Sequence, residues 1–376
     1  MSPSQSVPFT PPFSDAAVED LRTRLRSARL PQPASDISDD EGVNPTWLQE
    51  LLQYWAEEFD FDAYRTRLSK QGGQVTIVEG HEIHYLHASP QADLTATPLL
   101  LAHGWPDSAW RYRTVAPLLA AGTPAFDVVV PDMPGFGWSP AGDTALNSRQ
   151  VAALWADLMT SLGHEQFMVA GGDIGSHVAR YLALDFPDRV LGVHRMDAGL
   201  PYYGGDPADL TPPERDWMAA SVAWGYTEAG YAAMHSTKPA TLAVGLTDSP
   251  AGLAAWVGEK LVSWSDCGGD PWTVYSREDV LDLLSDFWFS GNIGASVRMY
   301  RANAAIPRAQ LDRYVTTPSG FSIFSGDITH PPREWVARTT HLVSFTTPAR
   351  GGHFAPREQP ALYATELQDF ARLNIA

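Results

Sequence analysis

Three short stretches carry residue types and spacings that could do hydrolytic chemistry. In "VAGGDIGSHVAR", residues 169–180, an apolar run ends in two glycines, Asp173 follows, and another glycine opens a helical pattern. Gly171-Gly172-Asp173-Ile174-Gly175 has the small-x-nucleophile-x-small form of a nucleophile elbow. The apex of such a turn sits at a helix N-terminus, where the dipole favours negative charge. Taken alone, the stretch reads equally well as an aspartate capping its helix. As a nucleophile, a carboxylate would suit different chemistry from the serine many hydrolases place there. Serine attacks an acyl carbon, whereas a carboxylate can displace at a strained sp³ carbon and leave an alkyl ester.

In "LLLAHGWPDSAWRY", His103-Gly104-Trp105-Pro106 directly follows an apolar run. There the main-chain N–H of Trp105, with that of Ile174 next after the nucleophile, could bind a developing oxyanion. An ordinary strand-to-loop turn would look similar. In "FSGDITHPPREW" and "RGGHFAPREQP", Asp327 ends one apolar run and His353 follows the next in a glycine-rich turn. A lone histidine is more often structural than catalytic. The order Asp173, Asp327, His353 is nevertheless the nucleophile–acid–base order of one known triad arrangement, and all the pieces occur together.

The elements needed to position these groups are legible around them. Residues 1–71 read as a Pro-rich lead and helical patterns, with Trp47, Leu48, Leu51, Leu52 and Trp55 at helical spacing. That segment is too small for a core of its own and must lie against something larger. "GGQVTIVEGHEIHYLHA" alternates as a hairpin does. Short buried runs then alternate with helical patterns, the signature of a mainly parallel sheet covered on both faces, with functional residues past the strand C-termini. Between about 200 and 305 the alternation stops and only helical patterns occur, which predicts a helical lid inserted between two strands. The expected division is an N-terminal meander over 1–71, a core over 72–199, a lid over 200–305 and the rest of the core over 306–376.

Composition narrows the function. A net charge of −18 disfavours nucleic acid and anionic membranes, which would repel it. Cys267 is the only cysteine, which rules out an intrachain disulfide and a cysteine-rich zinc site. No stretch has the basic and apolar regions of a signal peptide or eighteen uncharged apolar residues in a row. The expectation is a cytoplasmic protein, a monomer or homodimer, with no membrane and no nucleic-acid partner.

With these motifs in place, the chain resembles an epoxide hydrolase of the α/β-hydrolase fold, in the branch that includes the microsomal enzymes and their soluble microbial relatives. The resemblance rests on "HGWP", "GGDIG", "GY" at 230–231, "TKPATLAVGLTDSPAGLAAWVGEKLVSWSD", "RMYRAN" and "GGHFA". It implies Asp173 as nucleophile, His353 as base, Asp327 as its orienting acid, and two lid tyrosines, Tyr231 and Tyr300, as proton donors. Tyr226 competes with Tyr231 on spacing, and any of these aromatics could instead be packing residues. The partners implied are a small-molecule epoxide and water, with no cofactor and no metal. Three departures stand out: Asp107 where the family usually has glycine, His235 for a common glutamine and Ile174 for a frequent tryptophan. Asp107 would alter the oxyanion loop or add charge near the mouth. A haloalkane dehalogenase shares the aspartate nucleophile but typically needs a tryptophan donor where Ile174 stands. A non-catalytic binding protein of the same fold would be expected to lose a triad member. Trp105, Trp110, Trp138 and the lid aromatics suggest an apolar, aryl-bearing substrate.

Overall fold

The hydrophobic runs assemble into one nine-stranded sheet at the centre of the computed structural model, which describes residues 6–31, 41–91, 95–199 and 201–374. Leu200, at the expected start of the lid, and residues 1–5 and 32–40 of the expected meander lie outside the described residues. The strands are β1 (Val7–Pro8), β2 (Gly73–Val78), β3 (His81–Ala88), β4 (Ala96–Ala102), β5 (Ala125–Pro131), β6 (Phe167–Gly171), β7 (Val190–Arg195), β8 (Val315–Ser322) and β9 (Thr340–Thr346). Their spatial order is β1-β2-β3-β5-β4-β6-β7-β8-β9. The first three strands and the β3–β5 pair run antiparallel; from β5 to β9 every neighbour is parallel. The hairpin between β2 and β3 turns at Glu79 and Gly80, both at positive φ (46° and 80°), the backbone pairing a tight two-residue hairpin requires.

Helices α4 (Val115–Ala120), α5 (Ser148–Ser161), α6 (Ile174–Asp185) and the C-terminal α16 (Pro360–Asn374) cover the sheet. The strands they cover are buried on both faces, so Leu99, Leu100 and Leu101 of β4 are all fully buried, as a parallel sheet demands. Three helices precede the hairpin: α1 (Asp15–Arg26), α2 (Pro45–Glu57) and α3 (Phe61–Lys70). Each begins at a side-chain cap, Ser14, Asn44 or Asp60, which satisfies amide donors left free at a helix start.

Between β7 and β8 lie seven helices and no strand among the described residues: α7 (Pro212–Thr227), α8 (Gly230–Thr237), α9 (Pro239–Asp248), α10 (Pro250–Ser263), α11 (Arg277–Ser290), α12 (Ile293–Ser296) and α13 (Arg298–Ala304). Two short helices, α14 (Arg333–Ala337) and α15 (Ala355–Glu358), follow β8 and β9 respectively. The N-terminal helices dock on α11 through polar tips of buried aromatics. Trp55 Nε1 donates to Ser285 Oγ at 3.1 Å, and Tyr64 OH to Asp286 Oδ1 at 2.6 Å. Asp286 also accepts from Trp138 Nε1 at 3.0 Å and pairs with Arg113, so one buried carboxylate joins three parts of the chain.

Two strand expectations need adjustment. β1 was read as part of the Pro-rich lead; it is only two residues long, and Pro8 lacks the N–H that marks a strand. β8 spans Val315–Ser322 and starts ahead of the apolar run that leads to Asp327; its first half, with exposed Thr316 and half-buried Pro318, leaves no apolar pattern.

Candidate active site

Asp173 follows Gly172 in the two-residue turn between β6 and α6, at φ 56° and ψ −131°. Few non-glycine residues adopt such a conformation, and holding it costs on the order of 1–3 kcal/mol. Its side chain makes no capping hydrogen bond to α6, so the helix-cap reading of the sequence does not describe it. The backbone crowding explains the neighbouring glycines. A Cβ on Gly175 would strike the Ala102 carbonyl, and one on Gly104 would strike the Asp173 carboxylate itself. Asp197 Oδ2 accepts the Asp173 N–H at 2.7 Å and fixes the turn from β7's end.

The Trp105 N–H donates to Asp173 Oδ1 at 2.7 Å, and the Ile174 amide, next along the chain, favours the ionised carboxylate. The Trp105 loop is braced from beneath. Asp107 accepts the Gly104 N–H at 2.9 Å and pairs with Arg111, both side chains fully buried. Asp107 therefore does not add charge at the mouth; it braces the oxyanion loop. Arg111 extends the brace to the other side of the site, donating to the His353 carbonyl at 2.6 Å.

His353 Nδ1 lies 2.9 Å from Asp327 Oδ1, and its Nε2 is 3.7 Å from Asp173 Oδ2. The Ile328 N–H donates to the same Asp327 oxygen at 2.7 Å. A carboxylate at Nδ1 fixes the proton there and leaves Nε2 as the lone-pair nitrogen. Nε2 is buried and has no hydrogen-bond partner among the described residues. Burial alone would lower the His353 pKa; the Asp327 carboxylate overcomes this and holds it above the ordinary value. Burial likewise raises the Asp173 carboxyl, against the pull of His353, the two amides and Arg111.

Tyr231 on α8 and Tyr300 on α13 face one another with ring centroids 5.9 Å apart at 81°. Burial lifts both phenols above their usual range, and the Asp173 charge adds to it. Trp105 stacks on Tyr231 (5.4 Å, 10°) and meets Tyr300 edge-on, while His235 contacts all three rings. Burial pushes His235 down to about 3, so it packs as a neutral ring, and its Nε2 accepts from Trp256 Nε1 at 3.1 Å. Tyr226, the rival on spacing, is 89% exposed on α7.

Asp173, His353, Tyr231 and Tyr300 line one cavity of about 400 Å³, whose walls include Ile174, Trp224, Ile306 and Ile328. Trp105, Trp110 and Trp138 are not among its lining residues; Trp105 packs behind Tyr231 and Tyr300, and the indole N–H groups of Trp110 and Trp138 are spent on the Asp279 carbonyl and Asp286. A larger cavity, about 660 Å³ beside Trp47, holds none of these groups. No three His, Cys, Asp or Glu side chains among the described residues are placed to hold a metal ion.

Glu358 escaped the sequence reading, although it lies within the quoted "RGGHFAPREQP". From α15 its carboxyl accepts the N–H groups of Asp266 at 2.8 Å, Gly352 at 2.9 Å and Phe354 at 2.9 Å. It thus ties the His353 turn to the segment that follows α10 within the inserted helices. Two further links join the same parts: His353 N–H to the Trp264 carbonyl at 2.8 Å, and Gly351 N–H to Asp266 Oδ2 at 2.9 Å. Arg111, Asp197 and Glu358 each combine with a distant partner, the His353 carbonyl, the Asp173 N–H and the Asp266 N–H, that local spacing does not announce.

The sheet order, the elbow after β6 and the helical insertion after β7 define an α/β-hydrolase fold. Residues 97–239 match the family model described as alpha/beta hydrolase fold, and residues 6–112 match that described as epoxide hydrolase N terminus. Epoxide hydrolase 1 of Sus scrofa is 31% identical over 406 residues, covering 97% of this chain and 88% of that protein. The epoxide hydrolase of Aspergillus niger superposes with a TM-score of 0.87 at 31% identity, over 99% of this chain and 97% of that one. The juvenile hormone epoxide hydrolase of the silkworm Bombyx mori gives 0.90 at 27% identity, over 98% and 94%. The chain belongs to the epoxide hydrolase family, hydrolases that act on ether bonds.

Proposed function

We propose that this chain converts an apolar, aryl-bearing epoxide to its vicinal diol in two steps, through an ester on Asp173. The observation that carries the reading is one cavity in which a carboxylate, a carboxylate-oriented imidazole and two phenols converge.

In the first step a carboxylate oxygen of Asp173 attacks a ring carbon, the C–O bond breaks, and a C–O ester bond forms. The leaving oxygen would be a strongly basic alkoxide, and Tyr231 and Tyr300 donate hydrogen bonds and a proton to it. Phenols with a pKa near 10 or above stay protonated at neutral pH and donate only as charge develops. In the second step His353 Nε2 takes a proton from water, which attacks the Asp173 carboxyl carbon. Asp327 stabilises the imidazolium. The oxyanion forms on the Asp173 oxygen already bonded to the Trp105 amide, with the Ile174 amide as the second donor. Collapse releases the diol, and the proton on His353 returns to the phenolate. These steps require no cofactor and no metal, so activity should survive EDTA; loss that zinc restores would overturn that part.

The decisive experiment uses His353→Gln. Without the base, alkylation should proceed and hydrolysis stall. Intact mass should then rise by one substrate mass, with the adduct on Asp173, while Asp173→Ala shows neither adduct nor turnover. Wild-type turnover in ¹⁸O-water should label the Asp173 peptide. An active enzyme with an unlabelled peptide would mean that water opens the ring directly. The cavity's apolar walls support the substrate class, which a panel of styrene-type, aliphatic and terpenoid epoxides on chiral chromatography would test.

We also read residues 1–71, 72–199, 200–305 and 306–376 as meander, core, lid and core, because α7–α13 fall between two neighbouring strands. The charge of −18 supports a cytoplasmic monomer or homodimer with no nucleic-acid partner, which gel filtration and localisation of a tagged chain would check.

A further inference from the structure

A second cavity, about 450 Å³, lies against the first, and the two share His177 and Leu311 as a wall. It opens at the C-terminal ends of β7 and β8, bounded by Tyr202, Tyr203, Phe321 and Trp335. That volume is in the range of small-molecule sites. Three arginines line it, and their partners differ. Arg338 is neutralised by Glu214. Arg180 spends its terminal nitrogens on the carbonyls of Gln310, Leu311 and Arg313.

Arg195, at the end of β7, is only 4% exposed. Its Nε donates to Ser176 Oγ at 2.8 Å and its guanidinium lies 5.1 Å from the Phe321 ring. Its two terminal nitrogens donate to no described residue, and it forms no ion pair. Burial pushes its pKa down to about 10; Asp197 opposes this and Arg180 adds to it, as expected of a buried cation without a close counter-ion. A buried charge left without a partner is strongly destabilising. Among the described residues the one carboxylate on the cavity wall is Asp312, which is exposed.

We propose that this cavity is a second ligand site, distinct from the epoxide cavity, which takes a small organic carboxylate with an aromatic body. The free edge of a guanidinium presents two parallel N–H donors that match the two oxygens of a carboxylate. The four aromatic side chains supply the apolar wall for the remainder.

Phenylacetate is a suitable probe. Calorimetric titration of the wild type should show saturable binding, weakened tenfold or more in Arg195→Gln. Phenylacetamide, the same shape without charge, should bind at least tenfold more weakly than phenylacetate. Thr339→Phe, which fills the cavity and leaves Arg195 in place, should also abolish binding, so a misfolded Arg195 variant would not decide the matter. Crystals soaked in 4-bromophenylacetate should show the bromine anomalous peak in this cavity, beside the aromatic wall of Tyr203 and Trp335. A peak only beside Asp173, water or inorganic phosphate alone at Arg195, or equal binding of acid and amide would each overturn the proposal.

Discussion

His353 must be neutral before it can take a proton from water, and its carboxylate partner makes neutrality harder to reach. Because Asp327 holds the imidazole above its ordinary pKa of 6.5 against the effect of burial, the rate should climb with pH through a point above 6.5. Asp327→Asn removes the opposing charge and leaves burial in control. The acid limb of kcat should then move to lower pH while the maximum rate falls. A pH–rate profile whose acid limb does not move would show that Asp327 does not set the basicity of His353. The alkaline limb should lie above pH 10, since burial raises both Tyr231 and Tyr300. Tyr231→Phe and Tyr300→Phe should each slow ring opening by roughly 10²- to 10⁴-fold, the usual contribution of a general acid, with the second phenol limiting the loss. Tyr226→Phe should be silent in the same stopped-flow assay, because that side chain is 89% exposed. At this scale the sequence was most informative. The glycines around Asp173 reflect a strained backbone that local composition records, and the family signature separated Tyr231 from Tyr226. Arg111, Asp197 and Glu358 stayed hidden because each reaches a distant group, the His353 carbonyl, the Asp173 N–H and the Asp266 N–H respectively, that only the fold brings close.

Elements were legible in proportion to their burial. β4 to β7 read as apolar runs because helices cover both faces of the sheet there, whereas β1 and the first half of β8 carry proline and exposed threonine. What no pattern of burial predicts is how α15 holds the His353 turn. Glu358 receives three backbone N–H donors, yet burial still raises its carboxyl to about 7 from an ordinary 4.5. A raised native pKa means that the folded protein binds this proton more tightly than the unfolded chain. The contribution is therefore complete below pH 4.5 and is lost as pH rises to about 7. Glu358→Gln cannot titrate and offers a donor where the turn needs an acceptor. Its Tm deficit relative to wild type should be largest near pH 4.5 and shrink towards pH 7.5, and its kcat should fall with little change in KM. A deficit constant with pH would mean that Glu358 stays ionised throughout.

On the scale of the whole molecule, the segment before the hairpin acts as a strap rather than as an appendage. Trp55, fully buried, reaches Ser285, and Tyr64 shares Asp286 with Trp138 and Arg113. Trp55→Ala should cost about 3–5 kcal/mol, the range for truncating a buried tryptophan or phenylalanine. Denaturant unfolding would measure it, and a loss below about 1 kcal/mol would show that the strap contributes little. The helical spacing of Trp47 to Trp55 gave the buried stripe correctly, but its destination on α11 lies some 230 residues away and has no local trace.

The hydrogen bond from the His353 amide to the Trp264 carbonyl has a further consequence. The proposed base hangs from the roof of its own chamber, so a movement that lifts Trp264 and Asp266 would also release Gly351, Gly352 and His353. On the proposed mechanism an opened enzyme would be a disarmed one: the ester would meet an activated water only with the roof down. Amide hydrogens of residues 351–354 should consequently exchange with solvent in step with those of 264–266, whatever the rest of the sheet does.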